Sequence, residues 1–149
     1  MKTFRIRAED VQRRWFHIDA DGKTLGKLAV KAANILMGKE KPTFTPGVDT
    51  GDFVVVTNAA KVHVTGKKRE NKVYRHHTLY LGGLVEKPFK EVIATHPERV
   101  IESAIRRMLP KTTLGKHLYK RLKVYGTPDH PHTAQNPEKI EITRIVAKA

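Results

Sequence analysis

The chain has 149 residues, enough for one domain of ordinary size whose core folds without disulfides or a structural metal. It contains no cysteine, which excludes a disulfide framework and a thiolate zinc site and favours an intracellular location. Its formal net charge is +14, and an excess of this size indicates a polyanionic partner.

The first seven residues, Met1 to Arg7, lack the apolar segment of a secretion signal. No stretch of the sequence reaches the roughly 18 apolar residues that a membrane span requires. We therefore expect a protein that is neither secreted nor inserted into a membrane.

The first predicted elements are a strand, a turn and a helix. Residues 15–19 are aromatic and β-branched, and the turn-like segment 20–23 follows them. Thr24 is predicted as the N-cap of a helix whose apolar residues recur at helical spacing until Gly38 supplies a stop. The apolar run 53–57 is typical of a parallel strand covered on both faces, so the sequence predicts a βαβ unit.

The middle of the chain predicts a long loop and a basic hairpin. The connection 39–52 is long for a βαβ unit, and loops of this length in compact domains are often functional. Residues 61–64 alternate between apolar and polar, residues 66–72 form a basic turn, and residues 73–76 return as a strand.

Two further helices are predicted towards the C-terminus. Pro97 suits a first helical turn, the apolar stripe of that helix runs to Met108, and Pro110 ends it. If the chain is helical from Thr113 onward, one face is apolar and the opposite face is basic. The apolar face holds Leu114, Leu118 and Leu122, and the basic face holds Lys116, Lys120 and Lys123. Arg121 does not fit this pattern, because it lies near the leucine side.

From residue 128 the periodicity is weak until 140–142, where a short strand is predicted. The fold class is therefore α/β, a three-layer α/β/α arrangement with a mostly parallel, roughly four-stranded sheet, a basic hairpin and an irregular C-terminal extension. We expect one α/β RNA-binding domain over residues 1–127 and an extension, residues 128–149, packed on or near it.

The positive charge is concentrated in one part of the chain. Residues 1–60 hold 10 basic and 7 acidic side chains, residues 61–127 hold 16 and 5, and residues 128–149 hold 3 and 3. This distribution is typical of a binding surface rather than of charge spread for solubility.

Three short motifs suggest enzymes, but each lacks a required part. Gly22-Lys23-Thr24 lacks the first glycine of a phosphate-binding loop, because His17 stands at that position. Asp49-Thr50-Gly51 occurs once, whereas an aspartic protease needs two close carboxylates, so we expect Asp49 and Asp52 to shape the loop. The eight histidines show no metal-ligand spacing. We expect no catalytic residue, cofactor or metal and no small-molecule substrate. An enzyme that uses the Gly22–Thr24 turn or the Asp49–Asp52 loop remains the alternative from another class.

The basic residues lie on several separate elements, which suits a folded polyanion better than a straight groove, and the sequence lacks zinc-finger or RNP1-like motifs. If about six phosphates are neutralised, log affinity should fall with log salt concentration at a slope near −5. The predicted RNA contacts are Lys39, Lys41, Lys67, Lys68, Arg69, Arg75, His76, His77, Arg106, Arg107, Lys111, Lys116, Lys120 and Lys123.

Several segments, in order along almost the whole chain, resemble the bacterial form of large-subunit ribosomal protein thirteen. They are GKTLGKLA at 22–29, GKEKPTFTP at 38–46, VDTGD at 48–52, PERVI at 97–101, MLPK at 108–111 and HPHTAQ at 130–135. The chain departs from the family at Leu79 and Leu81, where the family tends to have glycine and proline.

The resemblance implies a compact α/β/α domain that binds large-subunit ribosomal RNA and joins the subunit early in assembly. The expected location is the cytoplasm, in the large ribosomal subunit, and the expected partners are ribosomal RNA and neighbouring large-subunit proteins. An RNA-binding regulator outside the ribosome shares the basic surface and is the second alternative.

Overall fold

The computed structural model describes residues 6–142. Two segments lie outside the described part: residues 1–5, which belong to the N-terminal segment considered above for a secretion signal, and residues 143–149 of the predicted extension. The strands are β1 Trp15–Asp19, β2 Phe53–Thr57, β3 Val73–His77, β4 Leu84–Pro88, β5 Leu122–Val124 and β6 Glu138–Ile140. The α-helices are α1 Leu25–Met37, α2 Lys68–Asn71, α3 Phe89–Thr95, α4 Pro97–Met108 and α5 Thr113–Tyr119.

The predicted α/β fold with a parallel sheet is confirmed. The main sheet has the order β5-β2-β1-β6, and all three strand pairings are parallel. Val54, Val55 and Val56 on β2 have no exposed surface, as expected for a central strand covered on both faces. The predicted βαβ unit is β1-α1-β2.

Helices α1 and α4 pack against each other over the core. Leu28 and Leu36 of α1 and Ile101 and Ile105 of α4 are fully buried there, because residues three and four apart share one face. On the opposite face of β1, Trp15 contacts irregular chain around His132. At that place the second covering layer is the C-terminal segment rather than a helix.

Helix α1 ends where the sequence predicts. Gly38 has φ +75°, and its amide donates to the carbonyl oxygen of Ile35 at 3.0 Å. A Cβ at this position would lie 2.5 Å from Thr50 Oγ1. Glycine is therefore required both by the left-handed backbone and by the close approach of the loop before β2.

The prediction of one amphipathic helix from Thr113 through Leu122 and Lys123 is wrong. Helix α5 ends at Tyr119, and Leu122 and Lys123 belong to the parallel strand β5. The amide of Val54 donates to the carbonyl oxygen of Arg121, and this pairing with β2 takes over the backbone groups that a longer helix would use. Leu122 is still buried, but through the alternation of a strand.

The predicted hairpin has a different first strand and a different tip. Residues 62–64 form no strand beyond a bridge of His63 to Thr24, and the basic segment contains the single helical turn α2. The actual hairpin is β3-β4, paired antiparallel. Its tip consists of Leu79, Tyr80 and Leu81, which are 91%, 80% and 106% exposed, respectively. The tip therefore presents apolar surface to the solvent.

Leu79 has φ +74°, a left-handed conformation that costs a residue with a side chain about 1–2 kcal/mol. The His77 Nδ1 accepts a hydrogen bond from the amide of Leu79 at 2.9 Å and holds this turn. The left-handed backbone at this position favours glycine, which is the residue that the family tends to have where this chain has Leu79.

The C-terminal extension contributes a strand to the main sheet. The short strand is β6, slightly before the predicted 140–142, and it pairs in parallel with β1. Ile140 packs against the core on the same face as Ile18, its partner in register.

Candidate nucleic-acid interface

The long loop between α1 and β2 is held by a partly buried lysine. Lys41 donates from Nζ to Oδ1 of Asp52 at 2.6 Å, and also to the carbonyl oxygens of Gln12 and Thr50 at 2.9 and 3.1 Å. Asp52 is 4% exposed and also accepts the amide of Arg14 at 2.8 Å. The ammonium of Lys41 is therefore occupied by bonds within the protein rather than presented to a ligand.

A second ion pair joins the same loop to β5. Arg121 donates from Nη1 to Oδ1 of Asp49 at 2.6 Å and from Nη2 to Oδ2. Nη1 also donates to the carbonyl oxygen of Gly51 at 3.0 Å, and the guanidinium lies 5.7 Å from the ring centroid of Phe53. This explains why Arg121 did not fit a helix pattern: it is 12% exposed and anchors the loop. Asp49 shapes the loop, as expected.

The turn that suggested a nucleotide site has a structural role. Gly22 has φ +62°, as a tight turn requires, and Lys23 donates from Nζ to the carbonyl oxygen of Ile142. Thr24 occupies the N-cap position of α1, but its side chain makes no capping hydrogen bond within the described residues. The expected capping bond is therefore wrong, although the helix begins where predicted.

The basic segment around α2 is exposed. Lys67 precedes the helical turn, and Lys68 and Arg69 lie on it. On β3, His76 and His77 are both exposed and point to opposite faces of the hairpin, as successive strand residues do. Arg75 pairs across the hairpin with Glu86, and both side chains remain largely exposed.

A second group of cations lies at the end of α4 and on α5. Arg106 and Arg107 occupy the last turn of α4, where the helix dipole favours positive charge. The Arg106 guanidinium lies 5.9 Å from the ring centroid of Tyr119, which connects the two helices. The remaining predicted contacts in this region are exposed: Lys111, Lys116, Lys120 and, on the edge strand β5, Lys123. Lys39, in the long loop, is exposed as well.

The fold brings together cations that the sequence analysis treated separately. Lys68 and Arg107 line one cavity of about 650 Å³ beside the start of α1. Lys27 and Lys72 line the same cavity, and neither is among the predicted contacts. Lys72 directly follows the basic segment and could have been found there, whereas Lys27 reaches the cavity only through the packing of α1.

Histidines contribute to the packing of the C-terminal segment on the face of β1 that carries Trp15 and His17. His132 Nε2 and the Tyr125 hydroxyl are 2.8 Å apart, and His17 Nε2 and Thr57 Oγ1 are 2.9 Å apart. The ring centroids of His17 and His130 are 5.3 Å apart. His132 is therefore part of the protein's packing.

Burial lowers the pKa of His17, and the nearby His130 and Lys139 lower it further, against the opposing effect of Asp19. The pKa of His132 is lowered likewise, first by burial and then by His130 and Lys123. Folding therefore favours the neutral form of both histidines.

We expect the free energy of unfolding to decrease as the pH falls below about 6.5, the pKa of an unperturbed histidine. Below that value the unfolded chain binds protons that the folded chain binds only at lower pH, so this contribution is present above pH 6.5 and is lost below it. Urea denaturation at pH 7.5, 6.5 and 5.5 and constant ionic strength measures it. The His17→Asn variant should show a weaker dependence over this interval. Equal stability of the native protein at all three pH values would contradict the prediction.

Across residues 6–142, no helix has the length and apolar character needed to cross a membrane. The same described residues contain no group of three or more histidine, aspartate or glutamate side chains placed to hold a metal ion.

Comparison with known proteins gives a consistent result. Residues 13–131 match the family model described as Ribosomal protein L13. The large ribosomal subunit protein uL13 of Francisella philomiragia is 56% identical over 138 residues, covering 93% of this chain and 97% of the relative. The proteins of the same name from Thermus thermophilus and Symbiobacterium thermophilum are 56% and 54% identical over 142 and 141 residues, respectively. Each of these two alignments covers 95% of this chain, with 100% of the first relative and 99% of the second.

Proposed function

Because the chain belongs to the ribosomal protein L13 family, we propose that it is a constituent of the large ribosomal subunit in the cytoplasm that binds ribosomal RNA and supports early subunit assembly. The family consists of structural components rather than enzymes. We assign residues 1–127 to a single RNA-binding domain and residues 128–149 to an extension packed on it. The pairing of β6 with β1 supports this assignment.

One observation supports RNA binding most directly: exposed cations lie on several elements without acidic partners. The six ion pairs among the described residues involve only two of the predicted contacts, Lys41 and Arg75. We omit Lys41 from the proposed contacts, because three bonds within the protein occupy its ammonium, and keep Arg75, whose pair is exposed. The other proposed contacts are Lys39, Lys67, Lys68, Arg69, His76, His77, Arg106, Arg107, Lys111, Lys116, Lys120 and Lys123.

Sedimentation of a tagged copy through a high-salt sucrose gradient tests the ribosomal role. We expect one copy per large subunit, both in free large subunits and in whole ribosomes. Substoichiometric occupancy would instead favour a regulator that visits the ribosome. Recovery only at the top of the gradient, including at low salt, would reject the proposal.

Removing three phosphate contacts should weaken binding to large-subunit RNA and its salt dependence together. We expect the triple variant Lys111→Gln, Lys116→Gln and Lys120→Gln to have a slope of log affinity against log salt that is less negative by about two to three. The physical reason is that each neutralised phosphate releases condensed counterions. Filter binding or fluorescence anisotropy at four salt concentrations measures the slope.

A control variant with the same change in net charge separates local contacts from overall charge. It carries glutamine at Lys61, Lys87 and Lys90, which are exposed and lie outside the proposed contacts. Its slope should stay within about one of the native value. If the slope changes by the same amount in both variants, Lys111, Lys116 and Lys120 do not contact phosphate in particular, and only the overall charge matters.

A further inference from the structure

A cavity of about 650 Å³ lies between the first turn of α1, the segment leading into β3 and the end of α4. Part of its wall is apolar, since Leu25, Val64, Ala104 and Met108 are among the lining residues. This size is ordinary for a site that holds a small ligand or one unit of a polymer. The cavity is therefore large enough for a phosphate group together with part of the nucleoside that carries it.

Four cationic side chains line this cavity, three from different helices and one from the connection before β3, and none of its lining residues is acidic. They are Lys27 of α1, Lys68 of α2, Lys72 just before β3 and Arg107 of α4. None of the four takes part in an ion pair within residues 6–142. Such a convergence of like charges is unfavourable unless an anion joins them.

One of these cations, Lys72, is held in place by the protein. The ammonium of Lys72 lies 5.2 Å from the ring centroid of Tyr74, which fixes the lysine stem along an aromatic face. Burial lowers the pKa of Lys72, and the neighbouring charges of Lys68 and Arg107 lower it further. A bound anion would relieve the repulsion among Lys72, Lys68 and Arg107.

The start of α1 adds to the same positive potential. The first turn of this 13-residue helix contains no acidic residue, and the Thr24 side chain forms no cap within the described chain. The positive end of the helix dipole therefore faces the cavity wall made by Leu25, Gly26 and Lys27. A Cβ added at Gly26 meets no atom within 4 Å, so the space in front of that residue is open.

We propose that this cavity binds one phosphate group of a nucleotide, with Lys27, Lys68, Lys72 and Arg107 as its ligands. The phosphate belongs either to the RNA backbone or to a free nucleotide; the first source rests on the proposed RNA-binding function, and the second does not. The apolar wall lies beside the phosphate and accommodates the attached ribose and base.

The direct test is a titration of the ¹⁵N-labelled full chain with adenosine 5′-monophosphate at constant ionic strength, observed by NMR. We expect saturable shifts of the backbone amides of Gly26 and Lys27, and no comparable shift with adenosine, which lacks the phosphate. A linear response without saturation, or an equal response to adenosine, overturns the proposal.

The variant Gly26→Asp places a carboxylate in the open space of the cavity. It should fold at least as well as the native chain, because glycine is a poor helix former and an acidic residue is favoured in a first turn. We expect it to lose the Lys27 amide shift, whereas Thr133→Asp, which makes the same charge change at an exposed residue outside the cavity, should keep it. A native-like response of a folded Gly26→Asp protein also overturns the proposal.

A second measurement identifies the source of the phosphate. Lys72→Gln should make the salt slope of large-subunit RNA binding less negative by about one if the cavity holds a backbone phosphate, while Lys90→Gln should not change it. An unchanged slope together with a saturable nucleotide titration assigns the cavity to a free nucleotide. If the chain binds no ribosomal RNA at all, the proposed function fails while the titration still decides the site.

Discussion

Replacing Asp52 with alanine is expected to lower the free energy of unfolding by about 3 to 5 kcal/mol, the usual result of removing one partner of a buried ion pair. Asp52 accepts both the Lys41 ammonium at 2.6 Å and the Arg14 amide at 2.8 Å. Its removal leaves the partly buried Lys41 without its counter-ion and the Arg14 amide without its acceptor, and each loss carries a desolvation cost. The loop 38–52 loses the ion pair between Lys41 and Asp52. Urea denaturation of native and variant chains at pH 7.5 measures the change.

Two further variants show whether the burial of Asp52 is the reason for the large loss of stability in Asp52→Ala. Asp52→Asn keeps an oxygen acceptor in the same place but loses the charge, so it should cost less than alanine. Glu40→Ala removes the exposed pair with Lys31, which is worth less than about 1 kcal/mol. If Glu40→Ala and Asp52→Ala lower the free energy of unfolding by the same amount, the burial of Asp52 does not determine its contribution to stability.

Replacing Gly51 with alanine is expected to destabilise the fold by about 3 kcal/mol or more, because there is no room for a methyl group. A Cβ at this position would lie 1.7 Å from the carbonyl oxygen of Leu36 and 3.3 Å from Leu118 Cδ2. The nearest atom belongs to the backbone of α1 and cannot rotate away. Either the loop or the end of α1 must move, and the core contact between them is lost. Thermal unfolding followed by circular dichroism measures the loss.

The same substitution at Gly26 provides the matched control. A Cβ there meets no atom within 4 Å, and the residue lies in a helix, where alanine is favoured over glycine by about 0.5 to 1 kcal/mol. Gly26→Ala should therefore raise the midpoint temperature of thermal unfolding, whereas Gly51→Ala should lower it. A small effect of Gly51→Ala would mean that the approach of residue 51 to α1 is looser than the structure has it.

The elements predicted best are those whose apolar residues recur over a long segment. Helices α1 and α4 follow this rule, and the predicted stops at Gly38 and Pro110 are confirmed because both residues act through their own backbone. The boundary between α5 and β5 could not be predicted in this way. Leu118 and Leu122 are four residues apart and fit one helix face, but the pairing of β5 with β2 decides the conformation of Leu122.

The hairpin was misassigned for a similar reason. Residues 61–64 alternate like a strand, yet their partner in space is the start of α1, through the bridge of His63 to Thr24. The turn that closes the hairpin includes Gly82, with φ +71°, beyond the basic segment that the sequence analysis took as the tip. Alternation over four residues does not identify the pairing partner, because that depends on long-range contacts.

For the candidate interface, charge density in the sequence identified the basic segments but not the function of single side chains. Lys39 and Lys41 are two residues apart in one loop, and only Lys41 turns inward to Asp52. Similarly, Lys27 lies in an ordinary amphipathic helix and gains its cationic neighbours only when α1 packs beside α4. The distinction between a surface cation and a structural one depends on burial and partners, which the linear sequence does not contain.

The order of strands in the main sheet has a consequence for synthesis of the chain. During synthesis β1 emerges well before one of its two neighbours, β6, which follows more than a hundred positions later in the chain. Until residues 138–140 emerge, one edge of β1 has unpaired backbone groups and can pair with another nascent chain. The main sheet can therefore be completed only after residues 138–140 have been synthesised, and a chain stalled before residue 138 should be prone to aggregation.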